Sequence, residues 1–511
     1  MNEEAEMELA SLVKELDYRI TDALGNEASE KETAAALRTE ITGITNDSRQ
    51  VSSGKLFFCI PGANSDGHDF AQMAADAGAA VLVVSRNVDL APARQAQPVI
   101  VRTKDTRLAM ALISAAFYGY PARSLRMIGV TGTKGKTTTT YLVRAILQHA
   151  GVDTGLIGTI ESVYHDKHMP ANNTTPESLA LQKTLREMAD AGVQAVVMEV
   201  SSQALMQKRT AGILFDIGVF TNISPDHIGP NEHASFEDYM HCKGLLFRQC
   251  RTGIVNGDDP HVKDILEGHT CSVETFGLAT SNDLYADDLQ LIRKPGELGI
   301  SFDAEGLMKF HAEVPTPGRF SVYNALCAIA ICRHFGVPAE KIQDALLHAH
   351  VKGRIELVRV SDSFTLMIDY AHNAVALESL LKALREYHPE RLVTLFGCGG
   401  NRSRLRRFEM GEVSGKLSDF TIITSDNPRF EEPMNIIADI VTGISRTEGK
   451  YITIPDRKEA IAYAIHHGQP GDIIVLAGKG HEDYQEIKGK KYPMDERVII
   501  QDILREDAQV R

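Results

Sequence analysis

Residues 124–138 read SLRMIGVTGTKGKTT. A strand-like run from Leu125 to Val130, apolar apart from Arg126, passes straight into a Gly/Thr loop, and TTTYLVRAILQHAG (138–151) continues with helical spacing and a Gly stop. Strand, Gly-rich turn and helix is the setting in which backbone N–H groups and a helix N-terminus cradle phosphate oxygens. The strict spacing, GxxxxGK followed by Ser or Thr, asks for Gly where this chain has Val130. Gly132 and Gly135 still let the backbone curl around an anion. Lys136 can reach β- and γ-phosphates, and the Thr137 hydroxyl can ligate Mg²⁺. The plain alternative is a tight strand–helix turn that holds nothing.

Working outward, apolar strands alternate with helices in both directions. Towards the N-terminus, LFFCI (56–60), AAVLVVS (79–85) and PVIVR (98–102) read as buried strands, with a helix in AQMAADAG between the first two. Met7, Leu9, Leu12, Val13 and Leu16 predict a helix over residues 4–21, and residues 22–40 a loop or second helix. Towards the C-terminus come AVVMEV (195–200) and FDIGVFTNI (215–223). After these come TLMIDYAH (365–372), RLVTLFGCGG (391–400), FTIITSDNPR (420–429) and GDIIVLAGKGHE (471–482). Each ends in a polar or Gly-rich cluster, and open α/β sheets bind ligands beyond the carboxyl ends of their strands. The expected fold is α/β in three domains, 1–123, 124–358 and 359–511. The central one is a parallel-sheet phosphate-loop ATPase domain and the last is Rossmann-like.

The chain has 511 residues, 43% hydrophobic and 24% charged, a balance that allows several cores and about three domains. A net charge of −14 argues against nucleic acid as partner, since that needs a basic footprint. No run approaches the ~20 apolar residues of a membrane span. MNEEAEMELASLVKEL lacks the basic-then-apolar order of a secretory signal. Seven cysteines without CxxC spacing read as reduced thiols and give no zinc pattern. A cytoplasmic monomer without membrane insertion is expected.

The loop TGTKGKT resembles the ATP loop of the Mur ligase family. The resemblance runs from about Thr45 to Arg497. It implies ATP binding at Gly132, Thr133, Lys134, Gly135, Lys136, Thr137 and Thr138, with Asn324 (in PGRFSVYNALCAIAI) and Arg354 (in VKGRIE) as further nucleotide contacts. Asp369 and His372 in IDYAHN resemble the family's hinge and nucleotide contacts. NDSRQV (46–51) and GKLFFCIPGANSDGHDF (54–70) resemble its uridine-nucleotide domain. They nominate Asn46, Ser48, Ala63, Asn64 and Ser65, which on residue type alone are loop residues. NNTTP (172–176) and MEVSSQALMQKR (198–209) nominate Asn173, Thr174, Thr175, Ser201, Gln207 and Arg209 for the UDP-linked muramoyl precursor. A guanidinium suits its carboxylate or phosphates.

Glu199 ends a buried strand, a costly place for a carboxylate unless it meets a cation. The resemblance makes it a Mg²⁺ ligand with Thr137, and makes His227 (in SPDHIGPNEH) and Lys243 (in FEDYMHCKGLLF) ligands of a second metal, Lys243 after carbamylation. A paired structural Glu, a structural His and a surface Lys are the plain alternatives. The expected catalytic set is Lys136, Lys243, Glu199 and His227, with ATP and Mg²⁺ as cofactors. IGPNEH departs from the family's usual run after DH.

SDNPRFEEP (425–433) resembles the DNPR motif of the family members that add meso-diaminopimelate. Arg429 can pair bidentately with the distal carboxylate that lysine lacks. Arg402, Asp426, Asn427, Pro428, Gly478 and Glu482 complete the implied pocket, Glu482 meeting the distal ammonium. GGNRSRLRRF (399–408) departs from the family's usual run; Arg402 survives, and Arg404, Arg406 and Arg407 could bind phosphate or solvate the surface, of which the second is expected. The resemblance implies ATP-driven joining of meso-diaminopimelate to UDP-N-acetylmuramoyl-L-alanyl-D-glutamate, through an acyl phosphate and closure of the third domain over the second. A lysine-adding sister ligase and a non-catalytic nucleotide-regulated binding protein stay open. The folylpolyglutamate synthases share the loop but lack a unit like residues 1–123.

Overall fold

Short apolar runs buried on both faces pair here as parallel strands, because only helices can then cover them. The computed structural model describes residues 7–510 apart from 63–64, 92–96, 230–231 and 295. Packing divides the chain into two compact units, one of residues up to 140 with 151–275, the other of 141–150 with 276 onward.

The first unit holds strands of two larger sheets and, among the described residues, one two-stranded pair. In the N-terminal one the order is Arg19–Thr21, Val99–Arg102, Val81–Val84, Lys55–Phe58, Gly43–Thr45, parallel except for the first strand. The helix expected over residues 4–21 is corrected. Met7–Glu8 pairs with Glu40–Ile41, one helical turn spans Leu9–Leu12, and Arg19–Thr21 is a strand. Leu9, Leu12 and Val13 are buried, so the apolar spacing marks a single inward turn between two strands. Glu30–Ala36 is a helix opened by a Ser29/Glu32 capping box. In the second sheet Arg126–Thr131 lies between Ala195–Glu199 and Phe215–Phe220, with Thr154–Ile157 and Cys250–Asn256 beyond, all parallel. The loops after residues 131, 199 and 220 therefore emerge side by side.

The second unit carries an antiparallel meander, Leu284–Lys294, Glu297–Gly306 and Phe310–Val314, and a six-stranded Rossmann-like sheet. Its order is Glu356–Val358, Thr365–Asp369, Asp472–Ala477, Arg391–Phe396, Phe420–Ile423, Tyr451–Thr453, parallel after the first strand. Period-2 alternation sends Met367, Ile473, Val475 and Ile423 to one core with Leu377, Met410 and Ile440. Leu366, Ile474, Leu476 and Ile422 enter the opposite core with Ile461, Ile500 and Ile503. Helices thus cover both faces, and the strand ends stay open.

A buried ion pair locks one of those ends. Arg457 Nε donates to Glu496 Oε1 at 2.8 Å, and its other nitrogens donate to Ser425 O (3.1 Å) and Ala477 O (3.0 Å). Both side chains are at most 2% exposed. Arg457→Ala leaves Glu496 buried and unpaired, so it should cost roughly 3–5 kcal/mol. A urea midpoint unchanged from that of the parent would contradict this.

Candidate functional site

The phosphate loop is built by its neighbours. Gly132 has φ 146°, and a Cβ there would stand 2.0 Å from Thr221 Oγ1, so only glycine fits. Thr133 N and Lys134 N donate to Asn222 O (2.8 Å) and Oδ1 (3.0 Å). Lys136 Nζ donates to Gly132 O (2.8 Å) and Thr133 O (3.2 Å). The Lys243 ammonium reaches the same Gly132 oxygen at 2.8 Å. It is 1% exposed and lies 4.4 Å from the Tyr239 ring, whose hydroxyl is 3.1 Å from Thr133 Oγ1. Burial, then the Lys136 charge, pushes its pKa well below the usual lysine value. An amine so disposed can stay neutral and take up CO₂.

Glu199, 1% exposed, accepts from Thr137 Oγ1 at 3.0 Å and from Thr159 N and Oγ1 at 2.8 and 3.0 Å. A buried carboxylate beside a hydroxyl under a phosphate loop is the oxygen chemistry a hard divalent cation takes. The residues therefore fit Mg²⁺. His227 stands apart from this contact. Its side chain is 55% exposed at φ 55°, with Nδ1 3.3 Å from Glu232.

The residues nominated for the UDP-linked precursor cluster next to Glu199. Thr175 Oγ1 donates to Glu199 O (2.8 Å) and accepts from Ser201 N (3.0 Å). Thr174 Oγ1 is 3.1 Å from Thr159 Oγ1. Arg209 donates to Thr175 O and Gln207 Oε1, both at 2.8 Å, and pairs with Glu177 at 2.7 Å. Asn173 is exposed. In the N-terminal sheet Asn46 and Ser48 follow strand Gly43–Thr45, and Ser65 follows its parallel neighbour Lys55–Phe58, so the three share one sheet edge. Ala63 and Asn64 lie outside the described residues.

In the second unit Arg354 sits over the Tyr370 ring at 4.6 Å, and the His372 ring is 4.6 Å from the same ring. Asp369 accepts from Ile355 N (2.9 Å) and Ala371 N (2.8 Å); burial pushes its pKa up. Asn324 is buried in helix Arg319–Arg333.

The loops after residues 396, 423 and 477 meet in a second cluster of polar side chains. A Cβ at Gly400 would stand 1.9 Å from Pro428 O, so glycine alone permits the approach. Arg429, at φ 53°, donates from Nη1 to Gly400 O (2.9 Å) and pairs with Glu486 at 3.1 Å. A Cβ at Gly399 would lie 2.8 Å from Arg429 Nη1 and 3.8 Å from Arg402 Cγ, so both arginines flank it. Asp426 and Asn427 are buried; Asn427 Nδ2 donates to Glu482 Oε2 at 2.8 Å. A Cβ at Gly478 would come 3.1 Å from Asp426 Oδ2. The arginine run is corrected. Arg407 is 1% exposed and pairs with Glu431 (2.7 Å) and Asp439 (3.0 Å), and Arg404 also binds Asp439. Only Arg407 departs from the expectation and braces the loop; the Arg404 side chain stays 69% exposed, as expected of a surface arginine.

Three family models match: the Mur ligase middle domain over residues 130–332, the Mur ligase glutamate ligase domain over 353–480, and the Mur ligase family catalytic domain over 40–118. A UDP-N-acetylmuramoyl-L-alanyl-D-glutamate–2,6-diaminopimelate ligase of Clostridium acetobutylicum is 41% identical over 473 residues, 92% of this chain and 96% of the relative. The chain belongs to the Mur ligase family. A ligase of the same description from Geobacillus thermodenitrificans is 40% identical over 91% of this chain and 95% of its own. A solved structure described in those words superposes with a TM-score of 0.70 at 28% identity, covering 99% of this chain and all of that one.

Several residues of this Mur ligase site gave no sequence signal. His233, fully buried, joins Ser202 Oγ (2.9 Å) to Asp238 (3.0 Å) and so ties the helix bearing Lys243 to the segment after Glu199. Thr159 and Glu486 look like ordinary loop and strand residues. Lys479 could have been suspected, since a lysine between two glycines at a strand end has little surface to snorkel to. His481 packs on Tyr370 at 4.8 Å, and burial with Arg354, Lys352 and Arg497 nearby pushes its pKa down to about 4. The folded value lies below the ordinary 6.5, so its stability contribution is complete above pH 6.5 and fades as pH falls towards 4. His481→Gln should flatten the urea midpoint over that window; an unaltered slope would contradict it.

Proposed function

We propose that this chain is an ADP-forming ligase that joins meso-diaminopimelate to UDP-N-acetylmuramoyl-L-alanyl-D-glutamate in peptidoglycan synthesis, in the cytoplasm. On this reading residues 1–123 bind the uridine nucleotide, 124–358 bind ATP and 359–511 bind the amino acid. The observation that carries it is the buried Thr137–Glu199 contact under a loop whose Gly132 carbonyl collects two lysines. A nucleotide-regulated binding module needs no such set.

The D-glutamyl carboxylate attacks the γ-phosphorus of ATP, the bond to the ADP oxygen breaks, and an acyl phosphate forms. The diaminopimelate amine then attacks the acyl carbon, phosphate leaves, and the amine's proton passes to solvent. Lys136 neutralises charge that gathers on the transferring phosphoryl group. Thr174, Thr175, Ser201, Gln207 and Arg209 hold the precursor so that its carboxylate meets that group in line. Thr137 and Glu199 would hold one Mg²⁺, with His227 and carbamylated Lys243 as the second set, and the metal supplies further charge neutralisation. Arg429 favours a substrate with a distal carboxylate, because lysine would leave its guanidinium without that partner.

Phosphate release that depends on ATP, the muramoyl dipeptide and meso-diaminopimelate together tests the reading; none from the purified protein would refute it. Lys136→Ala should lower kcat by about 100-fold or more, and near-normal amide synthesis in that variant would overturn the assignment. Carbon-13 bicarbonate should give a carbamate signal that vanishes in Lys243→Arg and fades as pH is lowered, since protonation removes the neutral amine. A signal that survives in Lys243→Arg would place the carbamate elsewhere.

A further inference from the structure

Two cysteines meet where neighbouring strands of the first unit begin. Cys250 opens strand Cys250–Asn256, and Cys271 directly precedes strand Ser272–Gly277, which hydrogen-bonds beside it. Both side chains lie over one row of glycines. Gly218 and Gly253 are register partners across strands Phe215–Phe220 and Cys250–Asn256. A Cβ at Gly218 would stand 2.8 Å from Cys250 Sγ, and one at Gly253 would stand 3.0 Å from Cys271 Sγ. The glycines thus leave room for two sulfurs side by side, and the thiols are in hydrogen-bond contact. Leu246 and Phe247 pack against the same two glycines.

The backbone on either side of Cys271 is held to the segment that carries Cys250. Thr270 N donates to Phe247 O at 3.1 Å, and Ser272 Oγ donates to Arg251 O at 3.3 Å. Adjacent strands run about 4.8 Å apart, inside the roughly 4.4–6.8 Å between Cα atoms that a disulfide spans. The two thiols differ in access. Cys250 is 4% exposed, and burial, then the Cys271 thiol, pushes its pKa above the usual thiol range. Cys271 is partly exposed, and the other six cysteines are buried. An oxidant in solution therefore meets Cys271 first.

We propose that Cys271 and Cys250 form a reversible oxidation site, in which a hydroperoxide converts the pair to a disulfide. Hydrogen peroxide oxidises the Cys271 thiol to a sulfenic acid and releases one water. The Cys250 sulfur then attacks the Cys271 sulfur. The S–O bond breaks, the S–S bond forms, and the sulfenic oxygen leaves as a second water with the Cys250 proton. Two electrons have passed from the sulfur pair to the peroxide, and a small thiol reductant returns both thiols. Without a partner Cys271 would go on to the sulfinic acid, which thiols do not reverse, so the buried thiol intercepts the damage. Among reduced cysteines such a bond is transient. It closes residues 250–271 into a ring. That segment carries Asn256, which donates to Thr221 O, and Asp259, which accepts from Ile223 N, both at 2.9 Å. These hold the strand end against which Gly132 is pressed. A cross-link restricts the unfolded chain and so raises stability.

The full chain, reduced and then exposed to a small excess of hydrogen peroxide, provides the test. Two of the seven thiols should be lost. A non-reducing digest should contain the Cys250 and Cys271 peptides joined, and dithiothreitol should separate them. The oxidised parent should have a higher urea midpoint than the reduced one. Cys271→Ser should show neither the thiol loss nor the rise. In Cys250→Ser, Cys271 should reach the sulfinic acid, and dithiothreitol should not restore it. Sulfinic acid at Cys271 of the parent without a linked peptide would overturn the inference. So would a disulfide joining Cys271 of two chains, a Cys271→Ser variant that still loses two thiols, or an oxidised midpoint no higher than the reduced one. If Cys250→Ser fails to fold, the linked peptide of the parent decides the matter.

Discussion

Two ammonium groups converge on one carbonyl oxygen, that of Gly132, and much of the first unit is arranged around that crowding. The oxygen cannot move away, because the Gly132 backbone is pressed against Thr221 at the end of the neighbouring strand. Like charges at such distance inside a protein raise each other's cost, and the buried member yields by losing its proton more easily. Lys243 is that member. The loop thus carries a standing demand for negative charge, which a triphosphate on one side and a carbamate on the other would both meet. Tyr239 spans the two sides, touching Thr133 with its hydroxyl and Lys243 with its ring.

The second unit handles charge in the opposite way. Arg407, Arg457 and Lys479 are buried with their acidic partners already in contact. Such pairs repay little net stability after desolvation, but breaking one is expensive, so they hold loops in a single arrangement. Arg429 and Glu486 use the same chemistry within reach of water. Exposure, more than residue type, separates these two charge environments.

Most of the first site was legible because its parts are local. A strand, two glycines and Lys-Thr in sequence specify a phosphate loop, and a glutamate closing an apolar strand announces a special environment. The N-terminal segment misled because apolar residues at helical spacing also fit one turn set between two strands. Arg407 misled because a basic run ordinarily faces solvent, and Asp439 lies 32 residues beyond it. Glu486 was silent for the same reason: its partner is 57 residues away.

The sequence by itself determined the α/β alternation, the strand ends where the candidate site residues gather, and the residue types able to grip phosphate and carboxylate. These follow from local periodicity and from backbone geometry that glycine alone permits. The tertiary structure decided which charges are neighbours. Whether Lys243 is a surface cation or a buried amine, whether Arg407 braces or solvates, and which glutamate faces Arg429 depend on contacts between strands far apart in the chain. Coulombic and desolvation energies are set by those distances and burials, and no spacing along a sequence encodes them.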